Sequence, residues 1–164
     1  MRWYSIALPP TSNHRLMPSA SGRGLIKSPV YRSWMQNEAL AIACELPESS
    51  MPIDRPCYSI VQAFFPDRRK RDLDNILKSV NDVLVRANVI GDDSLITAQV
   101  ALRAPFVKGT RGHVEVLLGE DIGDFEVALS EVLSELKEAQ TLGGFNASKA
   151  TRKKSAARVH SEQG

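Results

Sequence analysis

The stretch CYSIVQAFFPDRRKRDLDNILKSVNDVLVRA, residues 57–87, decides how the chain is read. Cys57 to Phe65 is a compact apolar run rich in β-formers, bounded by Pro56 and Pro66, and reads as a buried strand. Leu73, Ile76, Leu77, Val80, Leu84 and Ala87 then recur at helical spacing, which predicts an amphipathic helix over about 74–88. Between strand and helix lie four consecutive cations and two carboxylates.

Upstream, Trp3 to Leu8 alternates as a strand and stops at Pro9-Pro10, which open a polar loop; a second loop holds Gly22, Arg23 and Gly24. Ser28 can cap a helix running from Pro29 to about Glu45, with Val30, Trp34, Ala41 and Ile42 sharing a face. Downstream, Gly91 marks a turn, Leu95 to Arg103 is strand-like, Lys108 to Gly112 is a turn and His113 to Leu118 is the returning strand. Ile122, Phe125, Leu129, Val132, Leu136 and Ala139 form a heptad-like seam on a final helix whose other face carries Glu126, Glu131, Glu135 and Glu138. Packing of that seam on its own domain is expected, with a dimerising coiled coil as the rival. The order β-α-β-α-β-β-α predicts one mixed α/β (α+β) domain, a mixed sheet packed by helices, over residues 1–120. A C-terminal amphipathic helix over 121–142 and a basic, disordered tail over 143–164 complete the expectation.

The composition of the 164 residues, 43% hydrophobic and 24% charged, is that of a globular domain and excludes wholesale disorder. Cys44 and Cys57 are too few for a zinc ribbon or disulfide scaffold, and read as buried thiols without a redox role. The apolar run at the N-terminus is too short for a signal peptide, and no stretch approaches the ~20 apolar residues of a membrane span. A cytoplasmic location is therefore expected. No Walker-type phosphate loop is present, so no nucleotide cofactor is expected. The net charge of +2 divides unevenly: residues 145–164 carry +4 and the rest of the chain −2. Any affinity of the folded body for a polyanion must be local.

Such a local cluster exists, because Arg68, Arg69, Lys70 and Arg71 stand directly before Asp72 and Asp74. One carboxylate can cap the helix, worth ~1 kcal/mol, but a cap does not need two. Phosphodiester hydrolysis needs both kinds of charge: magnesium takes oxygen ligands from carboxylates, activates water and offsets phosphate charge, while arginines and lysines hold the flanking phosphates. If the chain stays extended through Asp72 and the helix begins at about Asp74, the two carboxylates can share a metal. Lys78 is one turn on, placed either to meet phosphate or to pair with Asp74 or Asp82. Asp92 and Asp93, after Gly91, offer a third acid or ordinary turn chemistry.

The run from Asp67 to Lys78, the helix after it and the Gly91-Asp92-Asp93 turn resemble the RusA family of Holliday junction resolvases. The resemblance extends forward through Lys108-Gly109-Thr110-Arg111-Gly112 and back to Leu8-Pro9-Pro10-Thr11-Ser12-Asn13, covering residues 3 to about 118. It implies a homodimeric, Mg2+-dependent endonuclease that resolves four-way junction DNA in recombination and repair, of a kind often carried by phages or prophages. It further implies a catalytic carboxylate set on Asp72, Asp74 and Asp93, which would hold the metal, and a catalytic lysine at Lys78. Arg68, Arg69, Lys70, Arg71, Asn13, Lys108 and Arg111 are the implied DNA contacts. A nuclease for forks or flaps and a non-catalytic junction-binding protein are the alternatives. The distance from Asp74 to Asp93 leaves two ways to build the site: a short helix lets one chain supply all three carboxylates, and a full-length helix hands Asp93 to the partner. The single-chain site is the expectation.

Overall fold

The computed structural model describes residues 1–11, 15–20, 23–69, 71–106, 109 and 111–141. Asn13, Lys70, Lys108 and the tail expected over 143–164 lie outside the described residues. The strands are β1 (Arg2–Ala7), β2 (Leu16–Pro18), β3 (Leu25–Lys27), β4 (Cys57–Phe64), β5 (Ile96–Arg103) and β6 (His113–Gly119). The helices are α1 (Pro29–Glu45), α2 (Leu73–Arg86) and α3 (Phe125–Thr141).

The main sheet runs β1-β6-β4-β5. β6 is antiparallel to both β1 and β4, and β4 is parallel to β5. The expected hairpin between β5 and β6 is therefore corrected. Every residue of β6 after His113 is buried, so its backbone groups need partners on both sides, and it takes the place between β1 and β4. β5 is only half-buried and takes the edge. A parallel pair requires a crossover, and α2 supplies it.

Both faces of the sheet are covered, which is why all eight residues of β4 are buried and the strand reads as a continuous apolar run. One face, carrying Ile6, Val61, Ala63, Val114 and Val116, packs under α1 and α2. The other, with Tyr58, Ile60 and Leu117, packs under Ala128 and Val132 of α3. The seam of α3 thus serves its own sheet. Ile122 falls outside it, in the turn before the helix, and is 55% exposed.

Three further readings are corrected. No strand is expected between Pro10 and Ser28, yet β2 and β3 pair there as a short antiparallel ribbon, with Gly24 just before β3 at a φ of +83° that suits a turn. On α1 the buried face is Tyr31, Met35, Ala39 and Ile42, at a helical 4-4-3 spacing, while Val30 is 60% exposed. Ser28 accepts from the Tyr31 amide at 3.1 Å and caps the helix as expected. Cys44 is exposed on α1; only Cys57 is buried, and burial pushes its thiol pKa up.

The end of α2 is fixed by a Schellman motif. The Val89 amide donates to the Leu84 carbonyl and the Asn88 amide to that of Val85, both at 3.0 Å, with Asn88 at φ +59°. The Ile53 amide then donates to the Val89 carbonyl and the Ile53 carbonyl accepts from Gly91, each at 2.9 Å, so the turn that follows is held to the body.

Candidate active site

Pro66 ends β4, and the loop after it folds around one carboxylate. Asp67 accepts from the Arg69 amide at 3.0 Å and from both terminal nitrogens of Arg71, at 2.6 and 2.9 Å. The Arg71 guanidinium and the Arg69 amide hold the Asp67 carboxyl at a pKa of about 2. Arg71 lies 5.2 Å from the centre of the Phe65 ring and Arg68 lies 5.4 Å from that of Phe106. The side chain of Arg69 is exposed and only grazes Asp67 at 4.0 Å.

Asp72 is the N-cap residue of α2, in extended conformation (φ −84°, ψ 127°), and its side chain makes no capping hydrogen bond. Asp74 lies in the first turn, where the helix dipole favours negative charge. The helix begins at Leu73, one residue earlier than expected. Both aspartates are exposed. Lys78 is exposed one turn on, and neither expected pairing forms: Asp82 is held by Lys27 at 2.8 Å and by the Tyr31 hydroxyl at 3.3 Å.

Two other pieces of chain come to this end of the sheet. Arg103, the last residue of β5, donates from Nη2 to the Arg71 carbonyl at 2.7 Å and sits 4.4 Å from the Phe65 ring centre. Gly112 abuts the loop so closely that a Cβ there would fall 2.6 Å from Pro66 Cδ and 2.9 Å from Leu8 Cδ2, and this brings the exposed Arg111 beside Pro66. Arg103 is missed by the sequence reading. Its signal is a cation ending a strand, and the assumption of a β5–β6 hairpin hides it by pointing that end away from β4.

Asp93 is elsewhere. Asp92 takes the structural work of its turn, accepting from the Ser94 amide at 2.9 Å, and contacts with Ser94 hold its carboxyl below the usual range. Asp93 is left exposed, three residues before β5. Cys57 pairs with Ile96 at this end of the parallel strands and Ala63 with Arg103 at the other. At ~1.5 Å per residue the 14-residue α2 is about 21 Å long, so Asp93 and Asp74 lie at opposite ends of one crossover unit. Among the described residues no three His, Cys, Asp or Glu side chains gather as a metal site. The expectation of a single-chain carboxylate set is corrected accordingly: α2 is full length, and its fixed C-terminal turn does not carry Asp93 back.

Asp72 and Asp74 are thus unengaged carboxylates on an open surface that also carries the exposed Arg68 and Arg69. The family model for endodeoxyribonuclease RusA matches residues 7–118. The crossover junction endodeoxyribonuclease RusA of Escherichia coli K12 is 31% identical over 121 residues, which are 73% of this chain and 97% of that protein. The protein of the same name from Enterobacteria phage 82 shows the same identity and coverage. The chain belongs to the endodeoxyribonuclease RusA family and is, with it, a nuclease that hydrolyses DNA phosphodiester bonds. The family match ends before α3. Among the described residues no helix is long and apolar enough to cross a membrane.

Proposed function

We propose that the chain acts as a homodimer that resolves four-way DNA junctions by paired symmetric nicks, with Mg2+ as cofactor. The observation that carries this reading is the exposed pair Asp72 and Asp74, neither with a hydrogen bond or ion pair among the described residues, in the chain just after the exposed Arg68 and Arg69. The donor set fits a hard cation: carboxylate oxygens, unneutralised and open to solvent. Asp72 and Asp74 of one chain with the partner subunit's Asp93 would hold the metal. When bound, Mg2+ supplies an activated water and offsets charge on the phosphate.

The chain's own groups do the rest. Lys78, free of Asp82, stabilises the charge that builds on the phosphate as a water oxygen attacks phosphorus and a sugar oxygen leaves. Arg68, Arg69, Lys70, Arg71, Arg111, Lys108 and Asn13 hold the flanking backbone. Arg71, forked onto Asp67, first orders the loop and then adds to the field.

A twofold axis suits both site and reaction. β5 is an open sheet edge, and α2 lies beside it with Asp72 and Asp74 at one end and Asp93 beyond the other. Antiparallel apposition of two such units brings each Asp93 towards the other chain's Asp72 and Asp74, giving two equivalent sites for two symmetric nicks.

Labelled four-way, forked and linear DNA, each incubated with and without Mg2+, test the substrate. Paired nicks on the four-way junction alone are expected. Preference for forks or flaps, or binding without any nicking, would overturn the reading. Mixing Asp74→Asn with Asp93→Asn chains tests the composite site: heterodimers regain one complete site and nick, whereas a single-chain site regains none.

A further inference from the structure

We infer that Arg103 is a positioning residue for Asp72, acting through the peptide plane that joins Arg71 to Asp72. The inference rests on the reading of Asp72 as a metal ligand.

An N-cap aspartate is normally oriented by accepting from an amide of the first helical turn. Asp72 makes no such bond, so the helix does not aim it. The loop before it is tied mainly to itself, since Asp67 receives both the Arg69 amide and the Arg71 fork. Arg103 supplies a tie to the sheet. Its Nη2 donates to the Arg71 carbonyl at 2.7 Å, and its guanidinium is steadied 4.4 Å from the centre of the Phe65 ring.

A peptide unit is planar, so the Arg71 carbonyl oxygen, the Asp72 nitrogen and the Asp72 Cα lie in one rigid plane. Holding the oxygen therefore restrains the swing of that plane, and with it the Asp72 Cα from which the side chain departs. The anchor is a firm one, because Arg103 ends β5 and Ala63 pairs with it on the buried β4. Arg103 has no carboxylate partner among the described residues, so the charge of its fork goes to the carbonyl and the ring face. Groups hydrogen-bonded directly to a metal ligand are typically worth about 10–100-fold in metal affinity, and a contact one peptide removed falls at the lower end of that range.

The test uses the full chain. Mn2+ binding without DNA is followed by electron paramagnetic resonance of the free ion. Junction affinity is measured in EDTA across a salt series, and the melting temperature is recorded for each variant. Arg103→Ala should weaken Mn2+ binding about tenfold, with melting temperature and salt slope close to wild type. Arg103→Lys, which keeps a donor within reach of the carbonyl, should recover part of the affinity. Wild-type Mn2+ affinity in Arg103→Ala overturns the inference. So does a salt slope shallower by ~0.9 with Mn2+ affinity unchanged, the mark of a phosphate-binding side chain. If Arg103→Ala does not fold, Arg103→Gln takes its place with the same criteria. Asp72→Asn is the control: were it to bind Mn2+ and nick as wild type, the metal-ligand reading of Asp72 would fall instead.

Discussion

Arg71 and Asp67 form a two-pronged ion pair four residues apart, Nη1 to Oδ1 at 2.6 Å and Nη2 to Oδ2 at 2.9 Å. One of the four cations read as a polyanion-binding run is therefore first a clasp. Arg71 depresses the Asp67 pKa to about 2, so the pair stabilises the fold fully above the unfolded carboxyl value near 4 and loses that contribution as pH falls towards 2. Asp67 is open to solvent, which screens the effect. Melting temperatures of wild type and Asp67→Asn should differ by a constant amount above pH ~4 and converge as pH falls to ~2. A gap that persists unchanged down to pH 2 would refute the linkage.

Lys78 and Asp82 separate two roles on one helix face. Asp82 binds Lys27 and the Tyr31 hydroxyl, anchoring β3 and α1 to α2, while Lys78 is left open. Lys78→Ala should cut the nicking rate about 100-fold or more with stability unchanged. Asp82→Asn should cost roughly 0.5–1 kcal/mol in urea unfolding and nick normally. The opposite pattern would make Lys78 structural.

The two ends of α2 differ in how far sequence can reach. The amphipathic run from Leu73 to Ala87 announces the helix, and the Asp-Leu-Asp-Asn segment announces the candidate site at its start, because both lie in local sequence. What stays hidden depends on partners far along the chain. Nothing near His113 says that β6 enters between β1 and β4, and only that topology leaves β5 at the edge and sends Arg103 to the loop. The Schellman turn at Asn88 is equally silent, yet it decides that Asp93 stays at the far end. The division between Asp92 as cap and Asp93 as free acid needs the observed Ser94 hydrogen bond, since either residue suits such a turn.

Arg68 and Arg69 are the exposed cations of the loop among the described residues. Arg68 leans on Phe106 and Arg69 only grazes Asp67, so both charges remain open to phosphate. Replacing both by Ala should weaken junction binding and flatten log K against log salt by ~0.9 for each phosphate on the duplex arms that is no longer neutralised. An unaltered slope would leave them as solvated surface.

Beneath α3, Tyr58 and Gly119 share one space. Tyr58 is fully buried on β4 opposite Gly119 of β6, its ring edge-on to Phe125 at 5.2 Å. Its hydroxyl has no hydrogen-bond partner among the described residues, and burial raises its pKa. A buried, unsatisfied hydroxyl costs about 1–3 kcal/mol, so Tyr58→Phe should stabilise the protein by ~1 kcal/mol. Gly119→Ala should do the reverse, because its Cβ would enter the van der Waals envelope of the Tyr58 ring. Overpacking of this kind costs about 1–3 kcal/mol. Phe keeps the ring carbons that the new Cβ would strike, so Tyr58→Phe should not rescue Gly119→Ala, whereas Tyr58→Leu should recover part of the stability. Urea unfolding of these single and double variants reads all of this. Destabilisation by Tyr58→Phe would mean that the hydroxyl finds a partner under α3, and full rescue by Phe would locate the clash at the hydroxyl rather than the ring.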